Sequence, residues 1–306
     1  MSAHAPRSID EYLKQLRAAL AGEDPALIQD ALYDSEEYLR AEVAAHPDKS
    51  EADVLELIAS TYGAPEEVAT AYRDTEAKVK AALKTPAPAA VAHPSGLKGF
   101  FSVFMDPRAY TSLFYVLLTL VTGIAYFTFV VVGLSLSAGL AILIIGVPFF
   151  LAFIGMARVI ALGEGRLLEA VTGERMPRRP VHPGPQAGWL ARIVEMLKDV
   201  HTWTTLLYLL AMLPLGVIYF TIAVVWLAIG LSLTFAPVNV LGRYFGWFPS
   251  WSINIDGQYY APHSLIGALL CMVLGVLLLT ALMHAARWIA RGHARLAKAL
   301  LVEPGA

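Results

Sequence analysis

Charged side chains are scarce in this 306-residue chain, and cysteine is almost absent. Asp, Glu, Lys and Arg make up 16% of the residues, whereas about 25% is usual for soluble domains. Cys271 is the single cysteine, so no disulfide can form within the chain. One stretch of 49 residues, from Ala109 to Ala157, contains no charge at all. These absences argue against a soluble domain of ordinary composition and against a disulfide-stabilised secreted domain.

Motifs of common enzyme and metal sites are also missing. The sequence contains no HExxH zinc motif, Walker loop, cysteine pair or GxSxG elbow. No two of its eight histidines are spaced as ligands on one helix face. A hydrolase using Ser135 or Ser137 would need a histidine at similar depth, and His263 is only a weak candidate. We therefore expect no enzyme activity, no cofactor and no metal site.

Long apolar runs are what the sequence has instead, and they predict four transmembrane helices. These lie at about residues 110–133, 139–157, 204–230 and 264–286. Each is long enough, at about 1.5 Å of rise per residue, to cross most or all of a ~30 Å hydrocarbon layer. The stretch GLSLSAG (133–139) is predicted to form the turn between the first two helices. The predicted fold class is all-α, with a four-helix transmembrane bundle.

Charge differs in sign between the two parts of the chain. Residues 7–84 carry 17 acidic and 9 basic side chains, whereas residues 85–306 carry 8 acidic and 14 basic ones. All the basic residues after residue 84 except Arg243 lie before the first span, between the second and third, or after the fourth. The positive-inside rule therefore predicts that both termini lie in the cytoplasm. Residues 1–84 lack the apolar core of a signal peptide, so we expect no cleaved leader.

The membrane part, residues 97–306, repeats itself. An offset of 93 aligns residues 106–140 with 199–233, with 14 of 35 positions identical, and an offset of 129 aligns residues 157–170 with 286–299. Each unit is predicted to hold an interfacial helix, two spanning helices and a basic cytoplasmic helix. The residues predicted to pack helices, with ligand contact as the alternative, are Gly123, Tyr126, Thr128, Gly216, Tyr219 and Thr221.

Charged residues near the inner ends of the second and fourth spans are assigned to the membrane surface. His284 and Arg287 lie one turn apart, and Arg158 matches Arg287 across the repeat. Ionisable groups near a helix end can extend to the interface, so both arginines are predicted to face lipid phosphates. Glu164, Arg166 and Glu169 are predicted to form solvated pairs.

Residues 1–84 are predicted to form a small cytoplasmic domain of three or four acidic helices. Ser8 with Glu11, and Ser50 with Asp53, have the spacing of helix-capping residues. The linker TPAPAAVAHPSG (85–96) predicts an extended tether that holds this head near the membrane without packing it there. A partner protein is expected to dock at an apolar stripe around three tyrosines, which could equally be core residues: Tyr33, Tyr62 and Tyr72.

The external loop between the third and fourth spans is the predicted ligand site. It contains eight aromatic residues within residues 235–260. An aromatic belt at the membrane interface is the alternative interpretation. The residues assigned to a ligand site are Arg243, Trp247, Trp251, Asn254, Asp256 and Tyr259.

Two family resemblances follow from these segments. IDEYLKQLRAAL, IQDALYDSEEYL and SEADVLELIASTYGAPEEVATAY closely resemble the HAAS signalling domain of bacterial membrane proteins. DPRAYTSLFYVLLTLVTGIAYFT and GVPFFLAFIGMARVIALGEGRLLEAVTG resemble the "putative sensor" membrane domain that precedes the kinase core of many actinobacterial histidine kinases. The resemblances imply a bacterial inner-membrane protein whose sensing is coupled to a cytoplasmic partner, such as a PadR-like transcription regulator or a histidine kinase.

The sequence leaves two other functions open. An accessory or permease-like subunit of a transport complex would also have apolar spans, although these spans hold no charged pathway. The same composition would also suit a structural membrane scaffold. Membrane lipid is an expected partner in every case, and a homo-oligomer stays open. Direct nucleic-acid binding is not expected, because the acidic head would repel phosphate.

Overall fold

The computed structural model describes residues 5–83, 96–142, 146–177, 179, 197–247, 253–255, 258–260 and 264–302. Within these residues the chain is almost entirely helical, which confirms the predicted all-α class. Four helices are long and apolar enough to cross a membrane, as predicted. Contacts divide the chain into two compact units, one of residues 1–91, 130–208 and 294–306 and the other of residues 92–129 and 209–293.

Four helices form the head: α1 (Ile9–Ala19), α2 (Pro25–Ala45), α3 (Glu51–Ala59) and α4 (Pro65–Leu83). The Ser8 hydroxyl accepts the Glu11 N–H and so caps α1. Ser50 and Asp53 form a reciprocal capping box at the start of α3. The caps satisfy backbone N–H groups that have no partner within the helix, which fixes where these helices begin.

The head has its own hydrophobic core. Apolar positions at helical spacing on α1 meet those of α2, α3 and α4, and the most deeply buried include Leu16, Leu20, Leu39 and Val54. The buried Tyr12 hydroxyl donates to the carbonyl oxygen of residue 63, across the core, at 2.9 Å. These contacts give residues 5–83 an apolar interior of their own.

The spanning helices are longer than the sequence predicts. They are α6 (Pro107–Leu140), α7 (Gly146–Thr172), α8 (Val200–Thr234) and α10 (Leu265–Leu301). At about 1.5 Å per residue, the 37 residues of α10 extend for about 55 Å. Because a hydrocarbon layer is only ~30 Å thick, part of each helix must project beyond it.

Two predicted boundaries are wrong. The stretch 133–139 is helical and belongs to α6, and α7 begins at Gly146 rather than near residue 139. The Ser137 hydroxyl donates to the Gly133 carbonyl oxygen at 2.7 Å, so it bonds within the helix instead of competing with it. Gly133 also faces the Phe153 ring of α7, which a larger residue would displace. Both small residues therefore serve a helix interior rather than a turn.

The basic helices predicted after the second and fourth spans are not separate elements. The segments 157–170 and 286–299 continue α7 and α10 without a break. Both segments lack proline and contain several alanines, so the helix continues in spite of the glycine residues that they contain. Each of these two helices thus joins an apolar span to a charged end.

Short elements flank the long helices. The predicted interfacial segment before α6 forms α5 (Leu97–Phe101) and a 3₁₀ turn, Ser102–Met105. Most of the corresponding segment before α8 lies outside the described residues. The predicted external loop contains α9 (Ala236–Tyr244) and a two-stranded antiparallel pair, β1 (Ile253–Ile255) with β2 (Gln258–Tyr260).

Candidate functional site

The chain after α7 folds back in a way that prepares a contact with the head. Gly173 has a φ of 76°, a left-handed conformation that ends many helices. Its N–H donates to the Glu169 carbonyl oxygen at 2.8 Å. Met176 is 1% exposed and packs against Gly165 of α7. This turn leaves Arg175 directed away from the helix axis and toward the head.

Arg175 is held between two acidic side chains of the head. One terminal nitrogen lies 2.9 Å from Asp30 Oδ2 of α2, and the other contacts Glu76 of α4. The three side chains are only 10%, 6% and 11% exposed, respectively. Removing one member of such a buried group leaves an uncompensated charge in a place that water scarcely reaches. Arg175 therefore links the segment after α7 to two helices of the head.

Arg179 and Lys298 extend this contact. Arg179 Nε lies 2.9 Å from Asp34 Oδ1, and its backbone N–H donates to Asp30 Oδ1 at 3.0 Å. Lys298, near the end of α10, lies 2.7 Å from Asp24 Oδ2. We call the seven residues of this contact the head ion-pair cluster: Asp24, Asp30, Asp34, Glu76, Arg175, Arg179 and Lys298.

The head ion-pair cluster corrects one expectation from the sequence. The head was expected to be tethered without packing, but four of its acidic side chains pair with basic side chains from residues 175–298. Opposite net charges on the two parts of the chain provide the physical reason. The linker that suggested a free tether lies largely outside the described residues.

The cavity next to this cluster is small. It measures about 20 Å³ and is lined by residues that include Gln29, Arg158, Met176 and His201. A volume of that size holds about one water molecule. Within the described residues, no group of three or more His, Cys, Asp or Glu side chains could hold a metal ion. The geometry here is that of a protein contact rather than of a ligand pocket.

Each of the three predicted docking tyrosines contacts another side chain. The Tyr33 ring lies 5.7 Å from the Arg179 guanidinium carbon. Tyr62 stacks on Tyr38 at 4.4 Å, and the Tyr72 hydroxyl donates to Asp34 Oδ2 at 3.2 Å. Burial raises the pKa of Tyr62 and of Tyr72. Tyr62 and Tyr72 are half-buried and pack against the head core, and the role of the three tyrosines in docking stays a prediction.

Arg158 and Arg287 pair with carboxylates, which corrects their assignment to lipid phosphates. Arg158 lies 3.2 Å from Asp199, and Arg287 lies 3.1 Å from Asp106. Each aspartate also accepts a hydrogen bond at 2.9 Å from the backbone N–H two residues on, and so caps the long helix that follows. The two arginines thus tie the middle part of one long helix to the start of another.

Two buried polar residues, Glu164 of α7 and His293 of α10, occupy positions that match across the repeat. Glu164 is 1% exposed, so the prediction that it is solvated is wrong, whereas Arg166 is exposed. The offset of 129 places His293 opposite Glu164, and His293 is also 1% exposed. Its ring centroid lies 5.8 Å from that of Tyr115 and 5.7 Å from that of Tyr219. Nothing in the sequence indicates this burial, because charged helices of this kind usually face water.

Gly123 and Gly216 permit a close crossing of α6 and α8. A Cβ at Gly123 would lie 2.5 Å from the Met212 carbonyl oxygen, and one at Gly216 would overlap the Thr119 carbonyl oxygen. The offset of 93 relates these two contacts to each other. The four other predicted packing residues differ: Tyr126 and Tyr219 are half-buried, whereas Thr128 and Thr221 are exposed.

The predicted external ligand site is only partly described. Arg243 and Trp247 are exposed, and the Trp247 ring stacks on Phe245 at 5.1 Å. Asn254 and Tyr259 are backbone partners in the strand pair, but their side chains lie outside the described residues. Trp251 and Asp256 lie outside them entirely. Ligand binding at this loop therefore stays a prediction.

Comparison with known proteins assigns the bundle to a family. The model of the "Putative sensor" family matches residues 115–301, which is more than half of the chain. The chain belongs to this family. The sensor-family match runs from within α6 to the end of α10 and so covers all or part of each long helix. No curated protein and no solved structure matches the chain.

The sensor-family match begins beyond the head. It includes Arg175, Arg179 and Lys298 but none of the acidic residues that pair with them. The resemblance of the head to a HAAS domain stays a prediction.

Proposed function

We propose that this sensor-family membrane protein relays a signal from its helix bundle to a cytoplasmic partner through the head. One observation carries the proposal: the head is bound at the ends of two long helices. Arg175 follows α7 by three residues, and Lys298 belongs to α10. A signal that shifts either helix would act directly on the ion pairs that hold α2 and α4.

Ion pairs of this kind are suited to a switch. The pairing at Arg175 is nearly buried, so it is strong when its geometry is good and costly when one partner is displaced. Movements of 1–2 Å are common when helices shift against their neighbours. Such a movement would lengthen the 2.9 Å contact with Asp30 beyond hydrogen-bond range and favour a second position of the head.

The bundle is proposed to be a duplicated two-helix unit, and several contacts repeat at the same offsets. The Tyr110 hydroxyl donates to the Phe104 carbonyl oxygen at 3.0 Å, and Trp203 Nε1 donates to the Leu197 carbonyl oxygen at 2.8 Å. The two donors are 93 positions apart in the sequence, and so are the two acceptors. The Arg–Asp pairs and the glycine crossings described above follow the same offsets. Duplication would give two similar helix pairs, of which each ends at the head.

The location and the partner are proposals of the same kind. The distribution of Lys and Arg supports an inner-membrane protein whose head and C-terminal end are cytoplasmic. The missing enzyme motifs support a role without catalysis or cofactor. A PadR-like regulator or a histidine kinase is the partner that the HAAS resemblance favours.

The test is a pull-down from native membranes after mild cross-linking, analysed by mass spectrometry. It compares the whole protein with a variant that lacks residues 1–84. The Arg166→Met variant is the control, because it removes a charge of α7 that is not part of the head ion-pair cluster. We expect a transcription regulator or kinase to be recovered with the whole protein and the control, and to be lost with the head. Transport subunits recovered with all three forms would contradict the proposal and favour a transport complex.

A further inference from the structure

The head carries an open groove of about 490 Å³ between the end of α3 and the first half of α4. Its lining combines small apolar side chains with hydroxyl groups and one carboxylate. The residues used below are Ser60, Tyr62, Glu67, Val68, Ala71 and Tyr72. An open groove with apolar side chains in its lining can receive one face of an amphipathic helix.

The surface around the groove is acidic. Glu66, Glu67 and Asp74 of α4 are exposed, and so is Glu56 of α3. Arg73, the basic residue closest to Asp74 in sequence, is turned toward Glu23 at 2.9 Å. An occupant with basic side chains along its rim would complement this surface, whereas an acidic one would be repelled.

The groove is connected to the head ion-pair cluster. Tyr72 forms one wall, and its hydroxyl donates to Asp34 Oδ2 at 3.2 Å. The other oxygen of that carboxylate lies 2.9 Å from Arg179 Nε. A displacement of Arg179 would therefore reach a wall of the groove through only two contacts.

We propose that this groove binds a positively charged amphipathic helix of a cytoplasmic protein, and that Tyr72 and Asp34 couple its occupancy to the head ion-pair cluster. The inference rests on the proposed function, because it names the partner chemistry for that relay. The apolar side chains of the lining accept the apolar face of the helix, and the exposed acidic residues of α3 and α4 pair with its basic residues.

The test uses the full chain in its native membrane. Ala71→benzoylphenylalanine places a photo-crosslinker in the groove, at an exposed alanine of α4. Ala41→benzoylphenylalanine is the matched control, at an exposed alanine of α2 that does not line the groove. Mass spectrometry identifies the attached peptide. We expect a product specific to residue 71, attached to a segment of another protein with helical apolar periodicity and net positive charge.

Charge reversal supplies a second measurement. Glu66→Lys with Asp74→Lys should lower the yield of that product about threefold or more, because attraction is replaced by repulsion at two rim positions. Glu37→Lys, at an exposed acid of α2, should leave the yield unchanged.

Several outcomes would overturn the inference. They are equal products at residues 71 and 41, attachment to an acidic or neutral segment, attachment to a second copy or to this same chain, and equal yields in the two charge variants. If the pull-down still recovers a head-dependent regulator, the relay stands and only the groove assignment fails. If the pull-down recovers none, the proposed function itself fails.

Discussion

Arg175→Met should release the head from the segment after α7. The change leaves Asp30 and Glu76, which are 6% and 11% exposed, without the guanidinium between them. Breaking a buried pair in this way costs about 3–5 kcal/mol. At about 1.4 kcal/mol for each tenfold change, the ratio of docked to undocked head should fall by a factor of roughly 100 or more.

Distance measurements between two spin labels would report this population directly. Labels at Ala41→Cys in the head and Gly163→Cys in α7 use exposed positions, and a Cβ at residue 163 meets no other atom. Cys271→Ser removes the native thiol. The unaltered chain should give one narrow distance distribution in lipid nanodiscs, and Arg175→Met should add a second, longer one. Arg166→Met, at an exposed arginine of the same helix, should not.

A neutralised cluster distinguishes electrostatics from simple loss of contact. Combining Arg175→Met with Asp30→Asn and Glu76→Gln removes the uncompensated charges, so most of the narrow distribution should return. If the single and triple variants are equally undocked, or if Arg175→Met leaves the distribution narrow, the reasoning about buried charge is wrong.

Three further predictions concern other parts of the chain. Gly123→Val should lower stability in detergent by about 1–3 kcal/mol through overpacking against the α8 backbone, whereas Gly163→Val should cost less; thermal unfolding compares them. Arg287→Met and Asp106→Asn should show a coupling free energy of about 0.5–3 kcal/mol in a double-mutant cycle, and additive effects would mean that the 3.1 Å pair contributes nothing. Burial raises the pKa of Tyr72, so the stabilisation from its neutral phenol should be complete below about pH 10 and be lost as pH rises through the raised value. Comparison with a Tyr72→Phe variant identifies the phenolate absorbance that belongs to Tyr72. This absorbance should appear only as helical circular dichroism is lost. Tyr72 phenolate absorbance in the folded protein would contradict the prediction.

Local features of the fold, such as the number of long helices and the positions of helix caps, can be predicted from the sequence. Apolar run length determined the number of long helices, because an unpaired backbone polar group is too costly inside a bilayer for other structures to form. Capping residues such as Ser50 indicate where helices of the head begin. Gly123 and Gly216, which recur at an offset of 93, indicate that a neighbouring helix packs closely there, although the sequence does not say which helix. Each of these features depends on neighbours within a few residues or on one repeated pattern.

Contacts between distant residues were decided only by the tertiary structure. Asp30 and Arg175 are 145 positions apart, and nothing in either segment identifies the other as its partner. Net charges of opposite sign gave a hint, but surface charge usually faces solvent, so the hint could not name a pair. The same limit applies to Arg158 and Asp199, and to the burial of Glu164. Sequence periodicity tells which face of a helix is apolar, whereas the partner of a charged side chain depends on where another part of the chain comes to lie.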